Sequence, residues 1–375
     1  MAVLLLGACS VHRNPNVKQP ILNQVSQLKY LNTFVLPHNM QFQGTTVGGL
    51  SAIDMDPQTG TYYMISDDRS KINPARFYTA KIAVSARGID SVTIKGVQTL
   101  LQEDGSAYPP ITPYATRTTD PEAMRYNQRS RQLIWTSEGE RIIKANDTTL
   151  IDPTINIIET SGKYAGSIPL PDNLRMRLTE SGPIRNGVLE GLTFADDFKT
   201  LYVNLEEPLY QDGPRAALIR NKAMVRIYKF DLKSKKNTAQ YAYELEPVAL
   251  PTLKKDGEFN NGIPDILWLG NNKLLVTERS YSEGQKSVNI KVFLADLNGA
   301  QNIKSVSSLK ATPAVSVIGK KLLLNMDELG IYVDNIEGAT FGPLLPNGHQ
   351  TIIFVADNNF NQKEQMQFML FEVIP

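Results

Sequence analysis

Residues 48–69, GGLSAIDMDPQTGTYYMISDDR, decide the fold of this chain, because the rest of the sequence repeats their plan. Residues 48–56 alternate toward one apolar face. Pro57, Thr59 and Gly60 supply turn chemistry, and residues 61–66, TYYMIS, are aromatic and β-branched as a half-buried strand requires. The hairpin closes on Asp67, Asp68 and Arg69, charges that a strand interior would exclude.

The same plan returns four times. EAMRYNQRSRQLIWTSEGER opens on Glu122 and ends at Glu138, Glu140 and Arg141; EGLTFADDFKTLYVNLEE opens on Glu190 and ends at Glu206 and Glu207. DILWLGNNKLLVTER opens on Asp265 and ends at Glu278 and Arg279; EGATFGPLLPNGHQTIIFVADNN opens on Glu337 and ends at Asp357, Asn358 and Asn359. With Gly49 as the first opener, the spacing holds near a period of about seventy residues, the signature of a repeat architecture.

Most periods contain two further β-like runs, such as RFYTAKIAVS and SVTIKGVQTLL after the first hairpin, so each supplies about four strands, the size of a propeller blade. The last period lacks its outer strand, whereas LKYLNTFVLP, residues 28–37, stands alone at the other end. A ring closed by that strand pairing with the C-terminal blade accounts for both and removes open sheet edges. The expected fold is all-β: a single β-propeller over residues 28–375 with five four-stranded blades. An irregular sixth stays open in the weak second period or in residues 306–329. A short helix or turn is expected only within residues 321–329.

With 39 basic and 38 acidic residues the net charge is +1, so no long-range field favours nucleic acid or an anionic membrane. Residues 1–10, MAVLLLGACS, are too short to span a bilayer. Leu6-Gly7-Ala8-Cys9 resembles a bacterial lipobox, which makes Cys9 the expected lipidation site, although no Lys or Arg precedes Arg13 where a basic segment belongs. Residues 11–27 are polar and suit a tether. The expectation is a monomer of the bacterial cell envelope, on the periplasmic or extracytoplasmic side, held to the membrane by its lipid anchor only. Cys9 is the only cysteine in the sequence, so no internal disulfide supports the fold.

Several motifs in order bring a family into view: GGLSAIDMD with SDDRS, DPEAM with SEGER, LEGLTF with LYVNLEE, TERSY, and NIEGATFGP with VADNNF. Together they resemble the "esterase-like activity of phytase", or phytase-like, family over about residues 44–373. The resemblance implies a β-propeller, often secreted or lipoprotein-anchored in bacteria. Two departures stand out: Gly49 where Glu is expected, and Ala123 where glycine is commoner.

In a propeller the innermost strands line the central channel, so Glu122, Glu190, Asp265 and Glu337 are expected to converge on the axis. Asp67, Asp68, Glu138, Glu206, Glu278 and Asp357 end the neighbouring strands. Carboxylates crowded into one low-dielectric space raise one another's pKa and call for a hard cation. Ca²⁺, which takes roughly six to eight oxygens, is the expected ion, with Asn186, Asn335, Asn358 and Asn359 as further oxygen donors. Only three histidines, His12, His38 and His349, and one thiol are present, which disfavours zinc and copper. No nucleophile elbow, Walker loop, H-E-x-x-H or dinucleotide fingerprint occurs, so any ester or phosphoester hydrolysis here is metal-assisted. In that scheme Glu190 or Glu337 acts as general base while Arg69 and Arg279 hold a small anionic molecule.

Two other readings compete. The acids can accept backbone N–H bonds while Arg69, Arg141 and Arg279 act as clamps between blades. Alternatively the propeller is non-enzymatic and binds a glycan or an envelope protein partner through long loops such as residues 102–119 and 208–222.

Overall fold

A computed structural model describes residues 20–375 apart from 23, 115–116 and 146–147; the expected lipidation site Cys9 and most of the tether lie outside these. The strands form five four-stranded antiparallel sheets arranged as a propeller. Blade 1 consists of Leu50–Asp56, Thr61–Ser66, Arg76–Ser85 and Gly88–Thr99; blade 2 of Pro121–Asn127, Gln132–Ser137, Thr154–Glu159 and Tyr164–Ile168. Blade 3 consists of Leu189–Phe194, Thr200–Leu205, Met224–Asp231 and Lys236–Glu244; blade 4 of Phe259–Gly270, Lys273–Ser282, Asn289–Asp296 and Gly319–Asn325. In blade 5, Asn335–Phe341, Thr351–Asp357 and Met366–Ile374 are joined by the N-terminal strand Gln27–Leu36. The first strand of each blade is innermost, and the innermost strands of adjacent blades pack side by side around the axis.

The closing strand runs antiparallel to the last one, with Gln27 opposite Ile374 and Leu36 opposite Met366. The chain therefore enters the ring at the face that carries the hairpin turns between first and second strands. There, Leu22 N also donates to Leu269 O over 2.8 Å. The opposite face holds the starts of the inner strands and the ends of the second strands. In the blade 4 hairpin, Asn271 and Asn272 both take positive φ (53° and 57°), as a two-residue turn matching strand twist demands.

Apolar faces of adjacent sheets form the core between blades, and one stacked pair recurs. Tyr63 of blade 1 lies on Tyr126 of blade 2 with ring centroids 5.2 Å apart, and Tyr202 of blade 3 lies on Trp268 of blade 4 at 5.1 Å. The repeat thus places the same aromatic contact at two seams. No sixth blade hides in residues 306–329. Ile303 and Ile318 donate to Gln240 O and Ala242 O of blade 3, so an irregular excursion covers that blade's outer edge before blade 4 is completed. Of the helix or turn expected at residues 321–329, the first part is the outer strand of blade 4, and only Met326–Leu329 forms a 3₁₀ turn, capped by Asn325.

An arginine seals the hub. Arg125, on the inner strand of blade 2, is buried and donates to both oxygens of Asp265 in blade 4 at 2.9 and 2.7 Å. Its guanidinium also donates to Ile53 O of blade 1 at 2.8 Å and to Ala339 O of blade 5 at 3.1 Å. One side chain thereby ties four of the blades across the axis.

Candidate metal centre

A bulge at the start of each inner strand fixes which residues are equivalent. Just after it, Ala52 pairs with Ile65, Gly191 with Asn204, Asp265 with Thr277, and Gly338 with Val355. Glu190 and Glu337 are therefore the bulged residues of blades 3 and 5, Glu122 takes this position in blade 2, and Ser51 and Pro264 take it in blades 1 and 4. The openers inferred from sequence for blades 1 and 4 are corrected accordingly. Gly49 lies two residues before its blade's position, and Asp265 one residue after. Close packing explains the glycine that follows Glu190 and Glu337: a Cβ on Gly191 would stand 2.8 Å from Asp265 Cα, and one on Gly338 2.9 Å from Ala52 Cα.

Two residues beyond the second-strand partners stand Asp67, Glu138, Glu206, Arg279 and Asp357, one per blade. Glu278 is out of phase with this ring, because strand side chains alternate between faces. Instead of facing the axis it accepts from Tyr243 Oη at 2.8 Å, Lys320 Nζ at 2.7 Å, Asn261 Nδ2 at 2.7 Å and Glu246 N at 2.8 Å. Asp68 is likewise turned away: it caps the amides of Lys71, Ile72 and Asn73 and pairs with buried Arg76 at 2.7 Å. Asp265 is committed to Arg125. Burial raises its pKa to about 6 despite that guanidinium.

What the structure does bring together is Asp67, Glu122, Glu138, Glu190, Glu206, Glu337 and Asp357, with Arg279 as the blade 4 member of the second-strand ring. Asp67, Glu337 and Asp357 can place one oxygen each within 4.8 Å of one another, and so can Asp120, Glu122 and Glu138. Asp120, just ahead of the second opener, was missed from sequence; the signal was an acid beside a proline at the strand start. The second group is partly neutralised, since Arg69 reaches Asp120 at 3.2 Å while also pairing with Glu140, outside the group, at 3.1 Å. In the first group only Glu337 has a cation, Arg279, which also donates to Glu206 and Asn335 at 2.7 Å each.

Asp357 is the outlier. It is wholly buried, and neither of its carboxylate oxygens has a hydrogen-bond partner. Burial, then Asp67 and Glu337, drive its pKa well above the carboxylate range, with the nearby amides of Asn358 and Asn359 easing the rise. Burial and the same neighbouring charge of Glu337 push Asp67 up to about 7. Glu122 and Glu190 are also held well above their usual range, first by burial, then at Glu122 by Glu190 and Asp120 and at Glu190 by Glu138 and Glu206. Glu138 is raised by burial, although it accepts hydrogen bonds from Val188 N and from Glu190. At Glu337 burial outweighs Arg279. At Arg279 itself burial opposes the charge, and Glu206, Glu337 and Glu190 override it.

Two of the four side-chain amide oxygens expected to assist are engaged. Asn358 Oδ1 accepts from Gly49 N at 3.2 Å and Phe360 N at 3.3 Å, and Asn335 Oδ1 accepts from Arg279. Asn186 and Asn359 sit exposed at the rim. The clamp reading also has its geometry. Arg69 joins blade 1 to acids of blade 2, Arg279 joins blades 3, 4 and 5, and Arg141 donates to Tyr210 Oη at 2.8 Å. His349 lies in the blade 5 hairpin turn, on the face away from the acids, bonded to Glu372 at 2.8 Å.

Fold and site together define an acid-lined five-bladed β-propeller with oxygen groups that could hold a hard metal ion. The chain belongs to the phytase-like family described as "esterase-like activity of phytase", whose profile matches residues 45–360. No curated protein matches it. Similar solved structures include an α-L-arabinanase mutant from Cellvibrio cellulosa (12% identity, covering 87% of this chain and 92% of that one, TM-score 0.41). Another is a putative 6-phosphogluconolactonase from Bacteroides uniformis (14% identity, 84% and 80% covered, TM-score 0.35). At these scores neither bears on the activity of this chain.

Proposed function

We propose that this propeller binds Ca²⁺ in its axial pocket through Asp67, Glu337 and Asp357, and uses the site to bind and hydrolyse an ester or phosphoester of a small anionic molecule. The observation that supports this is the unpartnered, buried carboxylate of Asp357 beside two further acids. A buried charge without hydrogen bonds is costly unless a cation takes its lone pairs. An all-oxygen donor set suits Ca²⁺ rather than a softer metal.

When bound, such an ion polarises an ester oxygen and acidifies water. The chain's own residues supply the rest. Arg279 fixes the orientation of Glu337 while tying it to Glu206, and Arg69 does the same for Asp120 and Glu140. Glu190 is only partly buried, and burial followed by Glu138 and Glu206 holds its carboxyl well above the usual range, which suits a group that takes and returns a proton. Arg125, bonded across the axis to Asp265, Ile53 and Ala339, holds the inner strands that carry these acids together. We place the protein in the bacterial cell envelope, anchored through Cys9, on the strength of its lipobox-like start.

Calorimetric titration of metal-stripped protein with Ca²⁺, beside a panel of chromogenic phosphate and carboxylate esters, tests the proposal. Glu190→Gln is expected to lower Ca²⁺-dependent turnover by at least ~100-fold, in line with loss of a proton-transfer group, while leaving Ca²⁺ affinity within a few-fold. Ca²⁺ binding with no turnover of any ester would reduce the site to a cation-dependent binding module. Absence of Ca²⁺ binding would end the proposal.

A further inference from the structure

We infer that the cleft between blades 4 and 5 is a carbohydrate subsite of this same pocket, seating a neutral sugar ring beside the cation. The inference rests on the proposed cation site for its geometry but is tested apart from it. A cavity of about 370 Å³ opens on the acid-bearing face, and Arg279 and Glu337 form its boundary with the axial pocket. That size lies within the range of small-molecule sites. A ligand whose ester group meets Asp67, Glu337 and Asp357 would extend its remaining portion into this space.

The lining decides what that portion is. Tyr281 and Tyr332 both line the cleft and are each 42% exposed, so each offers uncovered ring surface to the apolar C–H face of a pyranose. Asn260 also lines the cleft; its side-chain nitrogen donates to Glu207 at 3.1 Å, and its buried side-chain oxygen has no partner. Amides that can both donate and accept match hydroxyl groups better than they match charge.

Charge points the same way. Asp334, Glu337 and Glu364 line the cleft, and the guanidinium of Arg279 is already bonded to Glu206, Glu337 and Asn335. Among the described residues only Lys286 brings a cation to the lining without an ion pair. A polyanion would meet net negative potential here, whereas an uncharged polyhydroxylated ring would not. The subsite thus favours a ligand with a single anionic or ester group at the cation and a neutral sugar next to it.

The test uses the full chain with saturating Ca²⁺ on an array of neutral oligosaccharides, followed by calorimetric titration of each captured sugar. At least one glycan is expected to bind, with affinity at least tenfold weaker in Tyr281→Ala and in Tyr332→Ala. Ca²⁺ affinity, measured in the same preparations, is expected to stay unchanged in both variants. Capture of no glycan by protein that binds Ca²⁺ overturns the subsite and leaves the cation site standing. Equal binding by wild type and both variants overturns it as well, since the sugar would then sit elsewhere.

Discussion

Arg125→Met is expected to destabilise the protein by about 3–5 kcal/mol, the loss seen when one member of a buried ion pair is removed. The variant strands Asp265, 2% exposed, without its bidentate partner, and leaves the carbonyls of Ile53 and Ala339 without their donor. The pKa of Asp265 is already raised to about 6 in the arginine's presence, so without it the carboxyl would fold protonated. Urea unfolding provides the measurement, read as a fall in midpoint at constant slope. Adding Asp265→Asn to Arg125→Met is expected to recover part of the loss, because a neutral amide no longer needs a counter-charge. A midpoint unchanged by Arg125→Met would mean that the hub tolerates water in place of the guanidinium.

Asp357→Asn should act in opposite directions with and without calcium. In wild-type protein free of metal, Asp67 has its pKa lifted to about 7 and Asp357 is lifted well above its usual value. A carboxyl whose folded pKa is raised gives stability that is intact below the ordinary carboxylate range, near pH 4, and is lost as pH climbs through the folded value. The metal-free wild type is therefore expected to melt progressively lower from about pH 4 to 7 and beyond, and Ca²⁺ to reverse this by binding the ionised form. Asp357→Asn removes one of the repelling charges, so the metal-free melting temperature at pH 8 should rise by a few degrees. The same change deletes a ligand, and the Ca²⁺-induced stabilisation, about 2.7 kcal/mol for an ion at one hundred times its dissociation constant, should largely vanish. Thermal melts of both proteins at pH 5 and pH 8, each with chelator and with Ca²⁺, check every sign. A variant still stabilised by Ca²⁺ as strongly as wild type would remove Asp357 from the site.

The ring itself was legible because a blade writes its signature locally: alternating strands, a turn and an acid, renewed every seventy residues or so. Ring closure was legible from an orphan strand at one end and a missing one at the other. Phase was harder to see. Asp265 and Glu278 each sit one residue away from the positions that face the pocket, and a one-residue slip turns a strand side chain to the opposite side. In blade 4 the bulge spans Ile263 and Pro264 opposite the single residue Glu278, and Pro264, a residue strands admit at bulges, is its one trace in the sequence. Asp68 was misread for a related reason. It follows the ring residue Asp67, but the loop it caps had to be folded before its three amide partners were visible. Arg125 left a clue in the sequence: a single basic residue in the middle of the inner-strand run EAMRYN.

The strand that completes blade 5 begins at Gln27 on the hairpin-turn side of the disc, whereas the carboxylates open on the other side. Leu22 and Ser26, bonded to Leu269 and Ile374, consequently lie at the back of the molecule. A support grafted there, whether a bilayer or a sensor chip, would hold the disc like a dish on a stalk, bowl outward, and ligands would arrive from the bulk without crossing the support.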